Sequence, residues 1–340
     1  MGLTIESEKF TIRLGESMLK ENVLNCLELN RGKYLSGAKL AKDLGVSRNA
    51  VWKSIKALEK EGYAIDKRTN LGYKMLESND LLSEQGIAKY LNRTSETKIE
   101  VYQSLSSTND YVISKARDGA PEGLLVAVES QEGGKGRLGR KFFSPSGGVY
   151  FSLLLRPKKG AEVTEYLTIL TAVAVRESIN EIFGVNAGIK WVNDVYIGNK
   201  KCAGILTEAS IDFESGSIAH AVIGVGINLF VPEGGYPEEI KEVACAIGVN
   251  APDAKNKLIA TVFNKILDCY YDFDKVDVVN RYKAGSIMEG KKIIVKREEG
   301  DRNALCLGMD DACRLIVRYD NGEEETLYFG EVSLCLKGWV

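Results

Sequence analysis

Between residues 34 and 62, apolar side chains recur at the spacing of helices rather than of strands. A first helix would begin after Ser36, a residue type that caps helix N-termini, and end at Gly45, which suits the left-handed position after a helix. Its apolar stripe consists of Leu40, Ala41 and Leu44.

A second helix is predicted between Ser47 as its cap and Gly62, with a buried stripe of Val51, Ile55 and Leu58. The next segment, YAIDKRTNLGYKM, predicts two short strands around a turn. Helix, tight turn, helix and β-hairpin are typical of a winged helix-turn-helix.

The second of these helices exposes side chains that suit base edges and phosphates. They are Arg48, Asn49, Lys53 and Lys56, next to the capping Ser47, with Arg68 in the hairpin. Residues 31–74 contain eleven Lys or Arg and four Asp or Glu, a net charge of +7 in a chain whose net charge is −2. A basic module on an acidic body favours DNA as its partner, with a small helical protein-binding module as the alternative.

From residue 82 to residue 282 the pattern alternates between helical and strand-like stretches, which predicts a mixed α/β domain. The predicted strands are 124–130, 149–156, 189–197, 201–210 and 219–229, and the predicted helices are 163–183 and 254–274. After residue 285, alternating apolar and polar residues around tight turns predict a small antiparallel β-barrel of about 50 residues. The sequence therefore predicts an α+β chain with three domains, 18–80, 82–282 and 285–340.

Composition excludes several kinds of site. The chain has 340 residues, 44% of them hydrophobic, and neither an apolar run of membrane-helix length nor a signal peptide, so no membrane partner is expected. Seven scattered cysteines without a C-x-x-C pair favour reduced thiols and a cytoplasmic protein. His220 is the only histidine, which excludes a metal site with several histidines, and its apolar neighbours predict a packed strand residue.

The stretch GGKGRLGRKFFSP, residues 133–145, contains G-x-G-x-x-G. A predicted strand rather than a helix follows it, so the dinucleotide-binding interpretation fails, and no Lys-Ser or Lys-Thr follows the last glycine as a Walker A loop requires. Its cations are Lys135, Arg137, Arg140 and Lys141. Either the loop approaches a phosphate-bearing substrate or it is a solvated basic turn, and the adjoining Phe142 and Phe143 favour the first.

A second cluster is KWVNDVYIGNKKCAGILTE, residues 190–208. Lys190, Asn193 and Asp194 precede a turn, and Lys201 then enters an apolar strand. Lys201 is a candidate for stabilising a carboxylate or acyl oxygen, with a lysine that merely extends from an edge strand to water as an equal alternative.

Two short motifs complete the set. Residues 106–109, Ser-Ser-Thr-Asn, offer hydrogen-bonding groups before a helix, where simple N-capping is the alternative function. In Gly-Val-Gly-Ile-Asn, residues 224–228, the glycines clear space and Asn228 ends a strand where we expect the mouth of a site.

Together these motifs resemble the bifunctional biotin–protein ligases, also called biotin operon repressors. The resemblance extends from about residue 18 to the end of the chain and includes the winged helix, residues 107–109, the basic glycine loop, 190–194, 201–206, 224–228 and the terminal barrel. Each motif alone is weak, but five in this order are highly specific.

The resemblance implies that biotin's carboxylate attacks the α-phosphate of ATP and that a carrier-protein lysine then attacks the biotinyl-adenylate. The implied catalytic residues are Lys201, Arg137 and Lys190, and the implied biotin site is Ser107, Thr108, Asn109, Gln131, Lys135, Gly136, Arg137 and Lys201. ATP or the adenylate would contact Arg140, Lys190, Asn193, Asp194, Asn228 and Tyr236. Asp194 would also bind Mg²⁺, with no tightly held metal. The implied partners are a biotin carboxyl carrier protein domain, operator DNA and, when adenylate is bound, a second copy of the chain.

Two residues depart from the family pattern. Lys135 stands where the family usually has arginine, which keeps the charge but loses the bidentate fork, and Val192 stands where it usually has proline. We expect activity to persist, since neither change removes a catalytic group. Two alternatives stay open: a repressor that senses biotin-type ligands without ligating them, and a lipoate-type acyl ligase. The intact Lys201 and Arg137 disfavour the first, and the winged helix and terminal barrel disfavour the second.

Overall fold

The computed structural model describes residues 16–93, 97–158, 162–212, 216–328 and 330–334. These residues form two compact units that divide between Leu81 and Leu82. None of the helices in these ranges is both long and apolar enough to cross a membrane. The boundaries of the three predicted domains stay predictions.

The first unit is a winged helix-turn-helix, as predicted. Its helices are α1 (Glu16–Leu29), α2 (Gly37–Asp43) and α3 (Arg48–Lys60), and its antiparallel hairpin consists of β1 (Ile65–Arg68) and β2 (Gly72–Met75). Helix α1 was not predicted from the sequence, and its Val23, Leu24 and Leu27 complete the core of the unit.

Capping residues set the ends of these helices. The Ser47 hydroxyl accepts a hydrogen bond from Ala50 N at 3.1 Å and so begins α3, as predicted. Gly45 and Gly62 follow α2 and α3 with φ of 66° and 98°, which glycine adopts at little cost. The predicted stripe of α3, Val51, Ile55 and Leu58, is fully buried.

The second unit is built on a seven-stranded sheet. Its strands are β3 (Ile99–Leu105), β4 (Leu125–Gln131), β5 (Val149–Leu155), β6 (Ala187–Lys190), β7 (Asp194–Ile197), β8 (Lys200–Ile211) and β9 (Ile218–Ile227). They lie in the order β3-β4-β5-β9-β8-β7-β6, with β3 and β4 parallel and the other neighbours antiparallel. The helices are α4 (Glu84–Ala88), α5 (Thr108–Arg117), α6 (Leu167–Phe183), α7 (Ala254–Tyr271) and α8 (Lys275–Gly285).

Alternation along the strands gives this sheet two different faces. Phe151, Ile205 and Val225 lie on one face and share the largest core with residues of α6 and α7. Leu154 and Val222 lie on the opposite face and pack with residues of α5. The face that carries α5 also carries the candidate site.

The C-terminal region forms a five-stranded antiparallel sheet of β10 (Lys292–Lys296), β11 (Arg302–Met309), β12 (Leu315–Tyr319), β13 (Glu324–Leu327) and β14 (Glu331–Leu334). The strand order is β13-β12-β11-β10-β14, so over the described residues the sheet is open rather than a closed barrel. Its Ile293, Leu315 and Val317 belong to the same core as the central sheet. Residues 335–340 of the predicted barrel lie outside the described ranges.

The prediction of a single strand over residues 189–197 was wrong, because the chain reverses there and β6 pairs antiparallel with β7. Asn193 holds the reversal: its main-chain O accepts from Ile205 N at 2.9 Å, and its Nδ2 donates to Ile205 O at 2.8 Å. Trp191 Nε1 donates to Cys313 O at 2.9 Å. Since these partners are distant in sequence, local periodicity does not reveal the turn.

Candidate active site

Three glycines open a gap on the sheet face that carries α5. Gly204 of β8 pairs with Gly226 of β9, and Gly224 lies two residues earlier on the same face of β9. A Cβ on Gly226 would stand 2.5 Å from Phe142 Cε1, and a Cβ on Gly224 would stand 2.1 Å from Asn109 Oδ1. The close approach of these side chains therefore requires glycine.

Hydrogen bonds between α5 and β4 line one end of the gap. Gln131 Oε1 accepts from Thr108 N at 2.8 Å and from Thr108 Oγ1 at 3.1 Å, while its Nε2 donates to Ser144 Oγ at 3.0 Å. Ser107 caps α5 by accepting from Asp110 N at 3.3 Å, so the capping function considered for this motif is present. These bonds fix the orientation of the Gln131 amide.

Asn109 is held by neighbours from two strands. Its Nδ2 donates to Glu208 Oε2 at 2.7 Å and to Leu206 O at 3.3 Å. Its Oδ1 accepts from Ser152 Oγ at 2.6 Å, and the same Ser152 Oγ lies 2.7 Å from Thr108 Oγ1. Because Asn109, Thr108 and Ser152 are buried, this polar cluster is oriented before any ligand contacts it.

The basic glycine loop, residues 133–145, folds back on itself. Phe142 N donates to Gly134 O at 2.8 Å, and Gly136 N donates to Arg140 O at 2.7 Å. A Cβ on Gly134 would lie 2.4 Å from Phe142 O, so this backbone approach also requires glycine. Strand β5 rather than a helix follows the loop, which agrees with the rejection of the dinucleotide-binding interpretation.

Phe142 and Lys135 attach this loop to the gap. The Phe142 ring centroid lies 5.6 Å from Lys201 Nζ and 6.4 Å from the Tyr150 ring centroid. Lys135 Nζ lies 2.5 Å from Asp110 Oδ1, and the hydrogen bond to Asp110 raises the pKa of Lys135. Both partners of this pair are nearly half exposed, so it contributes only about 0–1 kcal/mol and is readily exchanged.

Two further cations reach the same gap. Lys201 Nζ lies 2.6 Å from Asp194 Oδ1, which is the distance of an ion pair without the geometry of a hydrogen bond. Arg137 Nη1 donates to Asn193 Oδ1 at 3.1 Å, and its Nη2 donates to Gly330 O at 3.4 Å. The gap thus joins a polar cluster at one end to Arg137 and Lys201 at the other.

A larger cavity, of about 710 Å³, adjoins the gap and shares Gln131, Phe142 and Lys201 with it. Asn228 and Tyr236 line this cavity, beside the apolar residues Phe143, Pro145, Pro237 and Ile240. Burial raises the pKa of the Tyr236 hydroxyl to about 12, so it stays protonated. The size of this cavity and its aromatic wall suit a planar heterocycle.

Most of the predicted site residues are brought together. The gap is lined by Ser107, Thr108, Asn109, Gln131, Lys135, Gly136, Arg137, Asn193 and Lys201. Asp194 joins it through Lys201, and Asn228 and Tyr236 join through the larger cavity. Arg140 and Lys190 line neither: Arg140 is exposed in the loop, and Lys190 is buried in β6 with Nζ 5.7 Å from the Tyr196 ring centroid.

Ser152, Ser144 and Asp110 belong to the site but were not predicted from the sequence. Ser152 carried a signal, since it is the one polar residue in the apolar strand VYFSLLL and a buried hydroxyl needs a partner. Ser144 and Asp110 carried none, because only the folded chain brings them to Gln131 and Lys135.

In the first unit, the predicted DNA-contact residues lie on the exposed side of α3. Arg48, Asn49, Lys53 and Lys56 are all exposed, opposite the buried stripe, and Ser47 begins the helix. In the hairpin, the Arg68 guanidinium lies 5.4 Å from the Tyr34 ring centroid while 62% of its side chain stays exposed. These positions leave the cations available to a polyanion.

Family models match three parts of the chain. The biotin/lipoate A/B protein ligase family matches residues 101–228, an HTH domain matches 20–74, and the biotin protein ligase C-terminal domain matches 290–335. Fold and site therefore define a biotin/lipoate-type protein ligase that carries a helix-turn-helix.

Relatives match over most of the chain. The bifunctional ligase/repressor BirA of Bacillus subtilis (strain 168) is 31% identical over 329 residues, 94% of this chain and 99% of that protein. Its namesake in Escherichia coli (strain K12) is 32% identical over 202 residues, 59% of this chain and 61% of that protein. The solved biotin protein ligase from Aquifex aeolicus in complex with biotin and ATP shares the fold, with a TM-score of 0.58 and 24% identity over 70% of this chain and 98% of that one. The chain belongs to the family of bifunctional biotin–protein ligases and biotin operon repressors, which confirms the resemblance.

The single histidine gives a clean test of the fold around β9. His220 is buried, as predicted, and burial together with Arg156 and Arg117 lowers its pKa below the usual 6.5. Below pH 6.5 the unfolded chain therefore binds a proton more readily than the folded one, so the free energy of unfolding falls as the pH falls. We expect His220→Gln to reduce this loss in chemical denaturation at pH 7.5 and 5.5. A His220 imidazole that titrates at or above pH 6.5 by NMR would contradict the assignment.

Proposed function

We propose that this protein activates biotin with ATP to biotinyl-5′-AMP and transfers the biotin to a lysine of a biotin carboxyl carrier protein. With adenylate bound, it dimerises in the cytoplasm and represses biotin synthesis genes by binding operator DNA. One observation carries the proposal: an oriented polar cluster and two cations, Arg137 and Lys201, line the same gap.

The polar cluster is assigned to the biotin head group. That head group is a neutral cyclic urea, and buried amides and hydroxyls pair with such a group without the cost of burying a charge. Thr108, Asn109 and Gln131 are the buried or half-buried donors and acceptors at this end, with Ser107 beside them. Lys135 and Gly136 line the same gap from the loop and would cover the ligand.

Lys201 is assigned to the biotin carboxylate. Its charge is balanced by Asp194 at 2.6 Å, so an incoming carboxylate replaces one anionic neighbour with another. The carboxylate oxygen then attacks the α-phosphorus, the bond from that phosphorus to the bridging oxygen breaks, and pyrophosphate leaves with the oxygen. Arg137 stabilises the charge that develops on the phosphate, and positioning with charge neutralisation supplies the catalysis.

In the second step a carrier lysine attacks the adenylate as a neutral amine. Its nitrogen bonds to the acyl carbon, AMP leaves with the oxygen that joined it, and the nitrogen loses a proton as the amide forms. Lys201 stabilises the acyl oxygen as it becomes negative. No enzyme nucleophile is required, in keeping with a single histidine that lies outside both cavities.

The larger cavity is assigned to the adenine of ATP. Tyr236 supplies an aromatic wall and Asn228 a side-chain amide, whose Nδ2 donates to Cys245 O at 3.2 Å. Asn193, whose Oδ1 accepts from Arg137 Nη1 at 3.1 Å, is assigned to the phosphates. Arg140 and Lys190 are assigned to ATP by resemblance alone.

Mg²⁺ would enter with the nucleotide substrate. The residues that the structure describes contain no group of three or more His, Cys, Asp or Glu side chains able to hold a metal ion. Asp194 offers one carboxylate beside Lys201, which fits an ion held mainly by phosphates and water with one protein ligand. We assign Asp194 as that ligand.

Lys201→Ala should leave the fold intact and slow adenylate formation by about 10²–10³-fold, because a preorganised partner of the reacting charge is lost. The measurement is single-turnover formation of biotinyl-5′-AMP. Lys200→Ala is the matched control, since Lys200 is the neighbouring lysine and pairs with the exposed Glu242 instead. Equal rates of adenylate formation for the two variants would mean that Lys201 is a lysine that merely extends to water and has no catalytic role. If the intact protein binds biotin but forms no biotinyl-5′-AMP when ATP is present, a sensor that does not ligate is favoured.

Deleting residues 1–81 should abolish DNA binding while some ligase activity remains, because the +7 segment belongs to that unit. In the intact protein, affinity for DNA should fall steeply between about 50 and 200 mM salt as released counterions oppose phosphate contacts. Fluorescence anisotropy with a labelled duplex measures both effects. DNA binding that survives the deletion, or does not depend on salt, would exclude the winged helix as its source.

Biotin with ATP should shift the protein from monomer to dimer in sedimentation. The loop cations Lys135, Arg137, Arg140 and Lys141 lie close together in sequence, and the negative charge of an acyl-phosphate lowers their mutual repulsion, which stabilises the loop in one conformation. A dimer then matches paired half-sites on DNA. Dimerisation of equal strength without ligand, with equal operator affinity, would leave a ligase with a constitutive DNA-binding module.

A further inference from the structure

Trp52 lies on the outer face of α3 with 48% of its surface exposed. Trp191 shows the ordinary situation of this residue type in a folded chain: it is 4% exposed, and its Nε1 donates to Cys313 O at 2.9 Å. A large indole left in water gives up the stabilisation that burial would provide. The position of Trp52 on the helix indicates which kind of partner would cover the indole.

Helical spacing places Trp52 in the middle of the basic face. Arg48 lies one turn before it and Lys56 one turn after it on the same side of α3, and all three are exposed. The row continues to Glu59, whose Oε1 lies 2.6 Å from Lys67 Nζ in the hairpin. Trp52 therefore lies on the side of the helix that faces the wing, in the N-terminal half of α3.

The charges around Trp52 favour nucleic acid over protein as its partner. Lysine is depleted in the centres of protein interfaces, whereas here the exposed Lys56 lies one turn from Trp52 on the same side of α3, within a segment of net charge +7. The indole carries no charge and cannot neutralise a phosphate. In the N-terminal half of a recognition helix, an apolar side chain faces base edges in the major groove.

We propose that Trp52 recognises a thymine in the operator through apolar contact between its indole and the C5-methyl group. Thymine is the one base that presents a methyl group in the major groove. Arg48, Lys53 and Lys56 hold the phosphates and hydrogen-bonding edges around it, so Trp52 supplies discrimination rather than charge. This inference rests on the proposed DNA-binding function and adds a residue that determines its specificity.

The test uses the full chain with biotin, ATP and Mg²⁺ and a pool of duplexes with randomised sequence. Duplexes that the protein selects are then resynthesised with deoxyuridine in place of each thymine in turn, which removes only the methyl group. We expect one thymine in each half-site at which this change weakens binding about four- to tenfold. For Trp52→Ala, the thymine and deoxyuridine duplexes should bind equally at that position.

Two variants separate specificity from general effects. Lys53→Ala should weaken binding to all duplexes and reduce the salt dependence while it keeps the methyl effect. Trp52→Phe should keep part of the methyl effect, and alanine favours the helix at this exposed position, so circular dichroism should show both Trp52 variants folded.

The outcomes distinguish this inference from the proposed function. If the intact protein selects duplexes but no thymine methyl matters, or if Trp52→Ala keeps the full methyl effect, the indole has another partner and only this inference fails. If the intact protein selects no sequence with biotin and ATP present, the repressor function fails and the role of Trp52 fails with it.

Discussion

The antiparallel pairing of Gly204 with Gly226 is the constraint that opens the site. The absence of side chains at this pair lets the Phe142 ring and the end of the Lys201 side chain lie against the sheet, and Gly224 makes room for Asn109 in the same way. A slip of one residue between β8 and β9 would exchange the faces and bring core residues such as Val225 into the gap. The hydrophobic face that packs on α6 and α7 excludes such a slip, so the core of the unit fixes the geometry of its polar site.

Each cation of the site is already paired within the protein. Lys201 with Asp194 and Lys135 with Asp110 are ion pairs, and Arg137 is held by Asn193. The lysine pairs are partly exposed, so they orient the cations without binding them strongly. A ligand anion therefore meets positioned charges and competes with weak partners, which lowers the cost of rearrangement during binding.

The parts of the fold that follow from local pattern were predictable from the sequence. The winged helix was predictable because its helix caps, the glycines that end its helices and the apolar stripe of Val51, Ile55 and Leu58 all lie within a few turns of one another. Lys201 and residues 107–109 were found because polar groups interrupt or border apolar strands. The reversal at Asn193 was not, since its partner Ile205 lies on another strand, and the open order of the terminal sheet depends equally on long-range pairing. The roles of Arg140 and Lys190 rest on resemblance and not on position.

The attachment of the C-terminal sheet has a consequence for genetics. Cys313 O accepts from the indole of Trp191, Gly330 O accepts from Arg137, and the sheet shares its core with the central strands. All assigned catalytic and ligand-binding side chains precede residue 237, yet a premature stop after residue 288 would leave the Trp191 indole without its acceptor and uncover the core. Mutations that abolish the activity should therefore also be found in the C-terminal sheet, although that sheet supplies none of the reacting groups.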